Sequence, residues 1–207
     1  MKILRASVMT RAEWFKERDT NVWWHTRKQV LTRDNYTCTY CGLMCKTFMQ
    51  VNHIGAEDDH TADNLETVCP PCHSVLHLGI NAMRGELTVF ECKPEVTNMA
   101  AIVCVTRSLV AKGTSWDQIE RRVSERFVRS DGLAYKRRES VRHANTMLHA
   151  IQPPAFRGYL PEGLAVMFHQ GETWNGYPES VWKWQCLPGS RYRREDDPLA
   201  RSGGEIK

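Results

Sequence analysis

Apolar residues fall first into helical spacing over 22-VWWHTRKQVLTRD-34, with Trp23, Arg27, Val30 and Asp34 on one stripe and Trp24 and Leu31 beside it. A short apolar segment, 47-TFMQVNHI-54, and a second one, 65-LETV-68, flank a polar stretch and predict a hairpin with a long connection. A brief helix is expected from about Pro71 to Leu78, with Gly79 or Gly85 ending it. Residues 86-ELTVFEC-92 alternate as a strand does. From Pro94 onward, 95-EVTNMAAIVCVTRSLVAK-112 is apolar on most faces and stops at Gly113, the pattern of a buried core helix.

A further helix is expected from Ser115, with Gln118 three residues on as a capping box and a stripe of Trp116, Ile119, Val123 and Phe127. Another is expected from about Tyr135 to Ile151, with Val141, Ala144 and Leu148 at helical spacing and Pro153 and Pro154 closing it. The chain then becomes aromatic and turn-rich to about Gly189, with Trp174, Tyr177, Trp182 and Trp184 close together. The tail, 191–207, has no periodicity and reads as disordered. The expected division is an N-terminal segment 1–21, a small domain 22–80, a helical region with a short strand 86–152, an irregular aromatic region 153–190 and the tail. The fold class is α+β.

Composition narrows the classes of function. Hydrophobic residues make up 42% and charged residues 25% of the 207, ordinary values for a globular protein. The formal charge is only +4, so a nucleic-acid surface has to come from local clustering. No apolar run approaches the ~20 residues of a membrane span. The stretch MKILRASVMTRAEW does not read as a secretory signal, because Arg5 and Arg11 leave too short an apolar core. A cytoplasmic protein is expected, and there eight cysteines point to metal before disulfides.

Cys38 and Cys41 form one C-x-x-C pair, Cys69 and Cys72 another. Two such knuckles bring four thiolates to one tetrahedral zinc, and a closed four-sulfur shell is structural. Such an ion supplies an apparent ~10–16 kcal/mol of folding free energy, which a small hairpin-and-helix unit needs. Haem attachment through CPPCH and a redox role for C-P-P-C are weaker readings, since the first goes with export and the second wants a strand–helix unit around it and leaves the first pair unexplained. Cys45 could compete as a ligand, whereas Cys92, Cys104 and Cys186 sit in apolar contexts and read as core.

RDNYTCTYCG, VNHI, DNLETVC and the CH that opens the helix together resemble the HNH (ββα-metal) endonuclease family over about residues 22–80. The resemblance implies a zinc-stapled ββα-metal finger. It further implies that His53 takes a proton from the water attacking a DNA phosphodiester, that Asn64 orients that base, and that His73 and His77 bind a catalytic divalent ion (Mg2+, Mn2+, Ni2+ or Zn2+). Independently, His73 and His77 are four apart, which puts them on one face of a helix. A histidine titrates near neutrality and suits base work. The departure is Asn52, where nuclease members commonly carry an Asp or His ligand; its amide oxygen can ligate but is neutral. Glu57, Asp58 and Asp59 could compensate from the loop.

RDNYTCTYCG, the VN pair at 51–52, DNLETVCPPC and LTVFECKPEV followed by a long apolar helix also resemble the DotN (IcmJ) component of Dot/Icm-type IV secretion coupling complexes. There Asn52 is no anomaly. That resemblance implies a nuclease-derived fold used as a docking module for a type IV coupling protein, peripheral at the inner membrane. A zinc-only nucleic-acid binder would explain the cysteines and leave the histidines without a role. Arg121, Arg122, Arg126, Arg129, Lys136, Arg137, Arg138 and Arg142 cluster late in the chain. Asp117, Glu120, Glu125, Asp131 and Glu139 cancel much of that charge, and a solvated helix face is the favoured reading.

Overall fold

The computed structural model describes residues 2, 4, 7–8, 20–56, 58–78, 81, 86–93, 99–128, 158–159 and 164–170. The expected helix 135–151, the aromatic region around Trp174 to Trp184, Cys186, Glu57 and the tail lie outside them.

Among the described residues the chain is α+β. Helix α1 runs Thr20–Arg33 and buries Val30 and Leu31, while Trp24 beside the stripe stays 61% exposed. Asn35 and Tyr36 turn the chain through the left-handed region, and Cys38 opens a tight loop closed by Cys38 N–H to the Leu43 carbonyl at 2.8 Å. Gly42 has φ +70°, a conformation that costs a residue without Cβ nothing. Strand β2 (Gln50–His53) pairs antiparallel with β3 (Leu65–Val68), placing Asn52 opposite Glu66 and His53 opposite Leu65. A 3-10 turn, Ala62–Asn64, leads into β3.

Helix α2 spans Pro70–Leu76, with Cys69 at its N-cap and proline in its first turn, where a missing N–H is harmless. It ends earlier than Leu78, the expected limit, and His77 becomes its C-cap. Beyond it, α3 (Ala100–Ala111) is buried on most faces, as its apolar run requires, and ends at Gly113 with φ +77°. Helix α4 (Trp116–Phe127) buries the expected Ile119, Val123 and Phe127. Ser115 is its N-cap residue, but its hydroxyl makes no capping bond, so the expected capping box does not form.

The strand expected at 86–92 is β4 (Leu87–Glu91), and its partner was not anticipated. It is β6 (Leu164–Phe168), from the region expected to be irregular, in antiparallel register with Leu87 opposite Phe168. β6 is an unbroken apolar run, LAVMF, and carries no alternation that would mark it as a strand. A two-residue ladder also joins β1 (Ser7–Val8) to β5 (Gly158–Tyr159). Just past β6, the buried His169 ring meets Thr88 Oγ1 at 2.7 Å through Nε2 and Glu120 through Nδ1, tying α4 to the β4–β6 ladder.

No described helix is long and apolar enough to cross a membrane.

Candidate functional site

The first centre is built by the two knuckles. Cys38 and Cys41 come from the loop after α1, Cys69 and Cys72 from the start of α2, and all four are buried. Their sulfurs lie within 4.8 Å of one another, with Cys41 and Cys69 3.5 Å apart. Sulfurs around a tetrahedral zinc at ~2.3 Å stand about 3.8 Å from each other, so the cluster fits that ion. The hydrogen bonds of the neighbouring thiols at Cys104, Cys38, Cys69 and Cys72 hold the Cys41 thiol well below its usual range, whereas burial pushes Cys69 and Cys72 well above theirs. A divalent metal bound among these sulfurs would favour their thiolate form. None of the seven described cysteines is in a disulfide. Cys45 is outside the cluster and meets Thr47 Oγ1 at 3.3 Å.

The second centre lies at the end of β2. His53 is buried, and its Nε2 stands 2.9 Å from Nδ1 of His60. Trp23 of α1 stacks on His53, with ring centroids 5.9 Å apart and planes at 16°, and meets His60 edge-on. Sequence reasoning missed His60 because a lone histidine in a polar loop carries no periodic signal. What holds that loop is Asn64. Its amide donates to the carbonyls of Ala56 and Asp59, both at 2.7 Å, and its Oδ1 accepts the Gly55 N–H at 2.7 Å. Asn64 therefore acts on the loop that carries His60, one step removed from the His53 ring.

Successive strand residues face opposite sides, so Asn52 shares a face with Glu66 and His53 takes the other. The Asn52 amide nitrogen donates to Glu66 Oε1 at 3.3 Å and to the His53 carbonyl at 2.9 Å. Glu66, a buried carboxylate that the sequence pattern hid inside an apolar strand, also accepts from the Tyr40 hydroxyl at 2.6 Å and from Lys2 Nζ at 3.1 Å. Burial and the Glu66 bond push the Tyr40 hydroxyl far above its usual range, so it stays a donor. Asp58 and Asp59 are exposed; the Asp59 carboxylate accepts the Thr61 N–H, turned into its own loop.

His73 is half-buried on α2 and His77 buried just past it, their Nε2 atoms 2.9 Å apart. Neighbouring ligands of an octahedral ion with bonds of ~2.1 Å stand about 3 Å apart, so the pair suits two adjacent coordination positions. Among the described residues, the four cysteines are the group in which three or more His, Cys, Asp or Glu atoms converge on one point.

Residues 38–78 match the family model described as HNH endonuclease. The matched span holds both knuckles, both strands of the β2–β3 hairpin and both histidine pairs. It supports the nuclease-fold resemblance and does not bear on the coupling-complex one. No curated protein matches the chain.

Proposed function

We propose that this protein is a metal-dependent HNH-type endonuclease hydrolysing DNA phosphodiester bonds, with zinc on Cys38, Cys41, Cys69 and Cys72 as its scaffold. The observation that carries the reading is the His53–His60 pair, braced by Trp23 and set on a finger within the matched span. His53 is the general base. In the tautomer in which His53 Nε2–H donates to His60 Nδ1, the unprotonated nitrogen of His53 is Nδ1, which takes the proton of the attacking water. Asn64 keeps the loop closed so that His60 stays in place. His73, His77 and the Asn52 amide oxygen are the residues that would hold a divalent ion, which when bound supplies Lewis acidity toward the phosphate.

DNA contact falls to α1 rather than to α4. The described α4 segment balances Arg121, Arg122 and Arg126 with Asp117, Glu120 and Glu125. Helix α1 carries His25, Arg27, Lys28 and Arg33 and no acidic residue. Its exposed Trp24 has the Arg27 guanidinium 5.4 Å from the ring centroid, a pairing suited to bases and phosphates together.

The test is nicking of supercoiled plasmid by zinc-loaded protein with magnesium, manganese or nickel. The wild type cuts and His53→Ala, still folded and still holding zinc, does not. Intact plasmid with every metal would overturn the reading. The Asn52–Glu66 bond favours a second one, because it gives position 52 a structural role that needs no catalytic ion. In that case the chain is a DotN/IcmJ-like docking subunit of a type IV coupling complex in the cytoplasm, leaving DNA intact and co-purifying with a coupling protein through the region after Gly85.

A further inference from the structure

Arg107 lies on α3, well beyond the matched span, in a helix whose other residues carry no charge. It is completely buried and is the largest fully buried side chain among the described residues. Its Nη1 donates to Cys41 Sγ at 3.4 Å and faces Cys69 Sγ at 3.8 Å, while Nη2 reaches Cys104 Sγ at 3.8 Å. A guanidinium stays protonated under all ordinary conditions, and a buried charge is strongly unfavourable unless an opposite charge faces it. Four thiolates on one zinc leave a net charge of about minus two by formal count, and that anion is what the Arg107 fork faces.

We propose that Arg107 is the counter-charge of the four-cysteine metal centre, so that metal loading and the seating of α3 on the finger are a single event. One arm of the fork spans two ligands drawn from different knuckles, Cys41 and Cys69, and so joins the two halves of the site through a residue of neither. The other arm rests on Cys104, which gives that core cysteine a second role as the anchor of the guanidinium plane. Hydrogen bonds donated to metal-bound sulfur withdraw charge from it and orient it, as outer-shell partners of metal sites do. The finger is then no self-sufficient unit in this chain: its charge is completed from the helical region. The proposal stands whether or not the protein cuts DNA.

The test uses the full chain loaded with zinc, as wild type, R107K and R107M, in competition with a chromogenic chelator. R107M is expected to hold zinc about 10–100-fold more weakly, the range for loss of an outer-shell partner. R107K, with the charge but without the fork, is expected to recover part of the loss. Equal zinc retention by R107M and wild type would overturn the proposal, as would an R107K no better than R107M. In the cadmium-substituted protein, the 113Cd resonance should move in R107M; an unmoved resonance would mean that the guanidinium does not touch the sulfurs. Should R107M fail to fold, hydrogen exchange on the wild type decides. Chelation should strip protection from Ala100–Ala111 in step with metal loss, and a helix that keeps its protection without metal would refute the coupling.

Discussion

Nε2 of His53 and Nδ1 of His60 are 2.9 Å apart, so one ring must carry the hydrogen and the other accept it. This bond couples a strand end to the loop between β2 and β3, and Trp23 covers both rings from α1. If His53 is the base, His60 fixes which of its nitrogens is bare.

His60→Ala is therefore expected to lower the plasmid-nicking kcat by on the order of 10²-fold, within the range of acid–base contributions, with KM little changed. His60→Gln, whose carbonyl oxygen can still accept the Nε2–H, should recover part of the rate. Wild-type turnover by His60→Ala, with the fold intact by circular dichroism, would remove His60 from the mechanism.

The loop that holds His60 depends on a contact between Gly55 and Asn64. A Cβ on residue 55 would stand 2.7 Å from Asn64 Oδ1, the oxygen that the Gly55 N–H already occupies. Gly55→Ala should cost about 1–3 kcal/mol, the scale for breaking a satisfied polar contact, and Asn64→Ala a similar amount. Because both act on one contact, the double variant should be little worse than Asn64→Ala alone. Urea denaturation of the four proteins measures this, and simple additivity would show that the two residues do not act on each other.

The parts of the site that sequence revealed are those whose chemistry is local. Two C-x-x-C pairs specify a knuckle each, and the order of Asn64, His73 and His77 around them suggested the finger. Helices α1, α3 and α4 were legible because their stripes or apolar runs are long. What stayed hidden depends on partners far along the chain. β6 became a strand by pairing with β4, and its sequence alone fits a buried helix segment equally well. Glu66 sits inside the apolar segment 65–68, which carries no sign of the Tyr40, Asn52 and Lys2 that surround it. Arg107, within the apolar run 95–112, carries no local sign of its role, because the sulfurs it faces include Cys41 and Cys69, on other elements.

Glu66 also changes what Asn52→Asp should do. From sequence, an aspartate at 52 looked like a simple gain of metal affinity. Directly opposite Glu66 and sharing its face, it instead sets two buried carboxylates against each other. The variant should lose about 1–3 kcal/mol without divalent ions. Manganese should return part of that loss if position 52 borders a divalent site, because an ion that binds the folded state stabilises it. Thermal melts with and without manganese decide both points. A melting temperature at or above wild type in the ion-free sample would contradict the Asn52–Glu66 pairing, and loss without any recovery would exclude position 52 from the ion.

Asp34 closes α1 onto the finger, and it makes stability depend on acid pH. Its carboxylate accepts the Thr67 N–H of β3 at 3.0 Å and the Arg33 Nε at 2.7 Å. Burial alone would raise the Asp34 pKa, but the bonds from Arg33 and Thr67 outweigh it and hold the group below its ordinary 3.8. A carboxyl depressed on folding binds its proton more readily when unfolded, so it adds stability above the unfolded value and loses it as pH falls through the folded one. Asp34→Asn should thus cost about 1–2 kcal/mol near neutral pH. That difference should stay flat down to about pH 5 and shrink below pH 4 as the wild-type carboxylate is protonated. Paired denaturation curves from pH 7 to pH 3 measure it. A gap that persists unchanged at pH 3 would mean that the charge of Asp34 is not what ties α1 to β3.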